Sequence, residues 1–132
     1  MRTHTTILYQ IEGFHIYLTE AEKDELKSRE KQKAVPVWQQ DPVLLWCNSY
    51  ADFMCNPINS RMTFTQEERD ESVKEIYFSF IQAKILDDFS RIQGIRENLL
   101  SFQNVKEAEE LLETLDVCVV PYMMGEEKPK RM

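Results

Sequence analysis

Apolar residues recur at steps of three or four through the stretch 65–103, and this pattern constrains the fold more than any other feature. Eight of them follow one another in phase: Phe78, Ile81, Ile85, Phe89, Ile92, Ile95, Leu99 and Phe102. In a helix with about 3.6 residues per turn, this spacing places all eight side chains in one stripe. A second row lies beside the first and consists of Val73, Ile76, Phe80 and Ala83, with Tyr77 between the two rows. A helix that is apolar over so much of its surface is expected to contact neighbours on more than one side.

The length of this predicted helix leaves two architectures open. A continuous helix over 66–103 would span roughly 57 Å at about 1.5 Å per residue, whereas a compact domain of this size has a radius of gyration of about 14 Å. Either the chain bends near Gly94, or the helix projects and is covered by a second copy of the chain. The stripe keeps its phase across Gly94, and glycine costs only about 1 kcal/mol inside a helix. The sequence therefore favours a helix that continues with at most a kink.

The two ends of the chain carry the signals for β structure. Residues 5–18 are rich in β-branched and aromatic types, with Gly13 at a turn position in the middle. This composition predicts a hairpin of two short strands, with a single strand bulged at Gly13 as the alternative. Residues 117–120 are three valines and a cysteine that end at Pro121, and they predict a short strand that pairs with the hairpin.

Helix start signals divide the remainder of the chain. Each consists of a capping residue followed by a glutamate three positions later or by a proline at the first helical position. They occur at Thr19 with Glu22, Asp41 with Pro42, Thr65 with Glu68, and Asn104 with Glu107. The predicted helices cover 20–34, 42–55, 66–103 and 105–115. The first is charged almost throughout and should be exposed, whereas the second is rich in large apolar residues and should lie in the core.

These elements together predict a mainly α fold. We expect one compact domain over 1–124, with about four helices and a small antiparallel β element built from the N-terminal hairpin and the C-terminal strand. The remaining residues, 125–132, are charged and contain a proline. We expect this tail to be mobile.

The net charge and the cysteine content restrict the partners and the cellular location that we expect for this protein. The 132 residues carry a formal charge of −7, which disfavours direct binding to a nucleic-acid backbone and suits a basic or neutral partner. The N-terminus lacks the apolar core of a secretory signal, and no apolar run approaches the ~20 residues that cross a bilayer. The three cysteines form no CxxC pair, which indicates reduced thiols and a cytoplasmic location.

Motifs for catalysis are sparse, so the sequence predicts no catalytic residue, no cofactor and no metal ligand. One alternative rests on Glu67, Glu68 and Glu71, followed about 40 residues later by Glu113 and Asp116. This arrangement loosely resembles the magnesium-binding pattern of all-α nucleotide pyrophosphohydrolases, since carboxylates three or four apart share a helix face and can hold Mg²⁺. The second half lies farther along the chain than those enzymes usually place it, and an acidic helix start accounts for the first half without metal.

The sequence therefore favours a non-catalytic protein that binds another protein through an apolar helical surface, as a homodimer or as a subunit of a larger assembly. The candidate partner-binding residues are aromatic residues and methionines: Trp38, Tyr77, Phe78, Tyr122, Met123 and Met124. Trp38 lies in a polar connection and is expected to be accessible. A second hypothesis is an acidic inhibitor whose carboxylates at 20–25, 67–71 and 107–116 imitate nucleic acid and occupy a basic groove on a target.

Overall fold

A computed structural model describes residues 5–27, 33–60 and 62–125 of the chain. The elements in order are β1 (Tyr9–Ile11), β2 (Tyr17–Leu18), α1 (Glu20–Lys27), β3 (Ala34–Pro36), α2 (Pro42–Met54), α3 (Pro57–Ser60), α4 (Gln66–Leu86), α5 (Ser90–Leu100), α6 (Lys106–Thr114), a π-helical turn (Leu115–Val119) and α7 (Val120–Met123). The predicted class, mainly α with a small antiparallel sheet, is confirmed. The described chain has more helices than the four predicted.

The sheet has three antiparallel strands in the order β2-β1-β3. The hairpin is confirmed, with Gln10 opposite Tyr17 and Gly13 in the turn at a φ of 90°. The third strand is Ala34–Pro36 and not the C-terminal segment, with Gln10 opposite Val35. The helix predicted over 20–34 therefore ends earlier, and its part over 28–32 lies outside the described residues. Pro36 explains the change, because it favours an extended residue before it and is tolerated on an edge strand.

The long predicted helix is broken, but not at Gly94. Asp87 follows α4 in the left-handed conformation, with φ 56° and ψ 39°. Asp88 then accepts hydrogen bonds from the backbone N–H (3.1 Å) and the hydroxyl (2.8 Å) of Ser90, at the start of α5. Aspartate is one of the few residue types that enter the left-handed region at modest cost. Gly94 lies inside α5, so the prediction of a continuous or Gly94-kinked helix is wrong.

The second apolar row of α4, and not the first, faces the core. The second row is buried at Val73, Phe80 and Ala83, together with Tyr77. The first stripe divides at Asp87: in α5 it supplies the buried residues Ile92 and Leu99, whereas its residues on α4 are half-buried or exposed. The α4 part of the first stripe therefore lies on the flank of the helix.

Helix α2 packs against both α4 and α6 at the centre of the core. The ring of Trp46 stacks on Tyr50 with centroids 5.1 Å apart and meets the ring of Phe80 edge-on at 5.7 Å. The indole N–H of Trp46 donates a hydrogen bond of 2.9 Å to the carbonyl of Leu111 on α6. Phe53 of α2 meets Phe102 edge-on at 4.9 Å. This arrangement confirms the prediction that residues 42–55 form a core helix.

The C-terminal segment predicted as a strand is helical. Residues 115–119 form a π-helical turn in which the N–H of Val120 bonds to the carbonyl of Leu115, and α7 follows directly. Pro121 has no N–H to donate, and a wider turn just before it accommodates the proline ring. The predicted cap of α6 is also wrong, since Asn104 is left-handed at φ 63° and Val105 precedes the helix without a side-chain cap. The caps at Thr19, Asp41 and Thr65 are confirmed.

Candidate functional site

An apolar strip runs along one flank of α4. It consists of Ile16 on the hairpin and Phe78, Ile81 and Ile85 on the helix, and we call these four residues the α4 strip. Ile16 and Phe78 line the same apolar cavity of about 250 Å³. Phe78, Ile81 and Ile85 are three and four residues apart, so they follow one another along one helix face. Phe78 and Ile81 are half-buried, and Ile85 is 51% exposed.

The hairpin and α1 determine where the α4 strip begins. Tyr17 of β2 lies edge-on against Tyr77 at 5.1 Å and tilted against Phe78 at 6.4 Å. One turn earlier, the Lys74 ammonium forms a 2.8 Å salt bridge with Glu22 at the start of α1. Both contacts cover the N-terminal half of the flank. Beyond Phe78 the flank becomes more accessible, and it ends at the exposed Ile85.

Asp41 organises a second region, between α4 and the connection that carries Trp38. One carboxylate oxygen of Asp41 accepts the backbone N–H of Val43 at 2.9 Å, and the other accepts the hydroxyl of Tyr77 at 3.1 Å. The N–H of Asp41 in turn donates to the carbonyl of Trp38 at 3.1 Å. These bonds hold the loop against the core while the indole of Trp38 remains 64% exposed.

In the described part of the chain, the titratable groups on which the charge of Asp41 acts are three tyrosine hydroxyls and one thiol. Burial, followed by the charge of Asp41, raises the pKa of Tyr77, and the same two causes raise the pKa values of Tyr17 and Tyr122. Burial and Asp41 also raise the pKa of the Cys47 thiol well above its usual range. These groups therefore stay protonated at neutral pH, and Cys47 lacks the thiolate that a nucleophile needs.

The structure divides the predicted partner-binding residues into two sets. Trp38, Tyr122 and Met124 have exposed side chains, and Phe78 belongs to the α4 strip. Tyr77 and Met123 belong to the core instead. Asp41 bonds the hydroxyl of Tyr77 and the carbonyl of Trp38, so the structure brings Tyr77 and the Trp38 connection together.

One buried polar cluster, centred on Arg69, was not predicted from the sequence. Arg69 is only 2% exposed, and its guanidinium donates to the carboxylate of Asp52 (2.6 Å), the hydroxyl of Thr6 (2.6 Å) and the side-chain oxygen of Asn48 (3.0 Å). The Thr6 hydroxyl also donates to Asp70. Arg69 stands in an acidic run that reads as a solvated helix start. Its position four residues before Val73, on the buried row, was the available signal.

Three of the five acidic residues of the magnesium alternative have other partners. Glu68 accepts the N–H of Thr65 in the capping box, Glu71 forms a 3.1 Å salt bridge with Lys74, and Asp116 forms a 2.7 Å salt bridge with Arg96. Within residues 5–27, 33–60 and 62–125, no group of three His, Cys, Asp or Glu side chains is placed to hold a metal ion. In the same part of the chain, no helix has the length and apolar character needed to span a membrane.

Comparison with known proteins returned no matching family model, no similar curated protein and no similar solved structure.

Proposed function

We propose that this protein is non-catalytic and acts by binding another protein through the α4 strip. The observation that supports the proposal is the exposure of Ile85 next to the half-buried Phe78 and Ile81. The second row of α4 lies within the core and Phe78 and Ile81 pack against its edge, so Ile85 and Ile16 are the strip residues that the core leaves most exposed. A contiguous apolar surface of this kind is typical of an interaction site.

The partner in this proposal is a second copy of the chain or a different subunit of an assembly. A strip along a single helix can pair with its own copy about a two-fold axis, because the same patch then faces itself. Stable interfaces bury roughly 1,200–2,000 Å² in total, so the contact extends beyond the four strip residues. Trp38 supplies an additional aromatic anchor of the type that dominates binding energies.

Ile85 and Leu86 provide a matched pair for the test. Both are large, exposed residues at the end of α4, but only Ile85 belongs to the strip. We expect the solution mass of the wild-type protein to rise with concentration, Ile85→Glu to abolish that rise, and Leu86→Glu to preserve it. Sedimentation of the three proteins over a concentration series measures this.

A different subunit is tested with the same pair of variants. If the protein is monomeric, a partner that co-purifies with wild type and Leu86→Glu but is lost from Ile85→Glu supports the proposal. Equal behaviour of the two variants in both experiments contradicts it, because the strip then has no role in association.

The acidic inhibitor is retained as a second candidate because of α6. This helix carries four glutamates and one lysine over Lys106–Thr114, and all four glutamates are exposed. Such a surface is complementary to a basic groove on a target protein.

We also propose a cytoplasmic location. Cys47, Cys55 and Cys118 are all free thiols, which suits a reducing compartment. Localisation of the full chain in cells by fluorescence microscopy tests this.

A further inference from the structure

A second surface feature lies between α2 and α6, and none of the α4 strip residues lines it. It is a groove of about 450 Å³, within the size range of ligand sites. Its walls are residues 42–49 of α2 and 107–114 of α6, which is about two turns of each helix. The floor is formed by the buried residues Trp46, Leu111 and Val119, and Leu45 projects from one wall with 41% of its surface exposed.

The floor of this groove is apolar in its chemistry as well as in its composition. The only polar group of Trp46, the indole N–H, is already bonded to the carbonyl of Leu111. The remaining uncharged polar side chains of the groove are exposed, and they are Ser49, Thr114 and Cys118. No polar side-chain group on the buried floor is therefore left to orient a small polar ligand. An apolar side chain inserted against Leu45 and Leu111 would instead displace water from both surfaces, which is the favourable term for burying hydrocarbon.

The α6 wall of the groove is acidic. Glu107 and Glu110 line the groove one turn apart, and both are exposed. Within the described parts of the chain, neither carboxylate forms a salt bridge. Lys106 lies next to Glu107 and four residues before Glu110 on the same helix, but among the described residues it forms no salt bridge with either carboxylate. The wall thus presents two unpaired carboxylates beside an apolar floor.

We infer that this groove binds a short, basic, amphipathic segment of a partner protein. An apolar side chain of the segment lies against Leu45 and Leu111, and a lysine or arginine one turn away lies beside Glu107 and Glu110. This is the helix-in-groove mode of recognition, with charge complementarity added along one wall. The inference does not depend on the α4 strip and stands even if the strip binds nothing.

The test uses the full chain and a labelled 14-residue amphipathic peptide of leucine and lysine as the probe. α6 offers a matched control, because Glu109 and Glu113 lie on the same helix but do not line the groove. The double variants Glu107→Gln/Glu110→Gln and Glu109→Gln/Glu113→Gln remove the same net charge. We expect the first to weaken binding about three- to tenfold and the second to change it less than about twofold. Fluorescence anisotropy of the peptide measures both.

Two further readouts locate the contact. Leu45→Ser is expected to weaken binding without unfolding the protein, since Leu45 is an exposed helix residue, and circular dichroism checks the fold. Amide chemical shifts of the wild-type protein should change at the groove when the peptide is added.

Equal losses from the two double variants would overturn the inference, because they would indicate general attraction to an acidic helix. Shifts centred on the α4 strip, or the absence of saturable binding, would overturn it as well.

Discussion

The hydroxyl of Tyr77 donates a hydrogen bond to the carboxylate of Asp41 over 3.1 Å, and this bond joins α4 to the first turn of α2. Asp41 also caps α2 through the N–H of Val43. The carboxylate of Asp41 therefore joins the start of the core helix to α4, while its backbone N–H bonds the carbonyl of Trp38. A change at the carboxylate is expected to act first on the stability of the core.

Because of Tyr77, the free energy of unfolding is expected to vary with pH in the alkaline range. Its pKa in the folded protein is raised by burial and by Asp41, above the value of about 10 for an unfolded tyrosine. The folded state therefore keeps a proton that the unfolded state loses. The stabilisation is complete below about pH 10, and the free energy of unfolding falls by up to about 1.4 kcal/mol per pH unit above it. Tyr77→Phe removes this contribution, so its stability should fall less steeply than that of wild type.

Urea unfolding at several pH values between about 9 and 11 measures this difference. At neutral pH, Tyr77→Phe should lower the free energy of unfolding by about 1–2 kcal/mol, because a hydrogen bond to a carboxylate is lost. If the free energy of unfolding changes with pH equally in the two proteins, Tyr77 has the same pKa in the folded and unfolded states. That result would contradict the contact with Asp41.

The buried guanidinium of Arg69 is expected to be important for stability. It bonds Thr6, Asn48 and Asp52, so Arg69→Met removes the buried donor that these groups of the N-terminal segment and α2 share. We expect a loss of roughly 3 kcal/mol in the free energy of unfolding, at the lower end for a broken buried pair because water can reach Asp52.

Arg91 supplies the control for Arg69, since it is exposed and, among the described residues, its side chain bonds only Gln82 at 3.5 Å. Arg91→Met should change the free energy of unfolding by less than about 0.5 kcal/mol. Chemical denaturation of both variants tests the pair, and similar effects of the two substitutions would mean that the Arg69 cluster contributes little.

Salt dependence separates the two proposed functions. A contact through the α4 strip is mainly apolar, so its dissociation constant should change less than about twofold over a tenfold range of salt. An inhibitor that binds a basic groove through the α6 glutamates should instead lose affinity steeply as salt rises. Titration of the self-association, or of a captured partner, at several salt concentrations distinguishes the two. A steep loss would favour the acidic inhibitor over the apolar contact.

The features that the sequence predicted well depend on a few neighbouring residues. The capping boxes at Thr19 and Thr65 and the cap at Asp41 are local hydrogen-bond patterns, and each is present. The exposure of Trp38 was also predicted, because its polar neighbours offer no core to pack into. The fold class and the starts of three helices followed from these signals and from periodicity.

The features that were wrong depend on contacts between distant segments. Residues 117–120 have high β propensity, but packing against α2 makes them helical, and tertiary context commonly overrides propensity. Arg69 could be recognised as buried only once Thr6 and Asn48 were placed beside it. The sequence likewise could not show which apolar row of α4 faces the core, because both rows are apolar and only the packing in the fold distinguishes them.

Gly94 tests the position of the helix break directly. It lies inside α5 with its surroundings open, since an added Cβ would meet nothing within 4 Å. Alanine is favoured over glycine in a helix interior by about 1 kcal/mol, so Gly94→Ala should raise the free energy of unfolding by up to that amount. Thermal and urea denaturation measure the change. A destabilised Gly94→Ala protein would indicate that the chain bends at Gly94, and the division of the apolar stripe at Asp87 would then lose its basis.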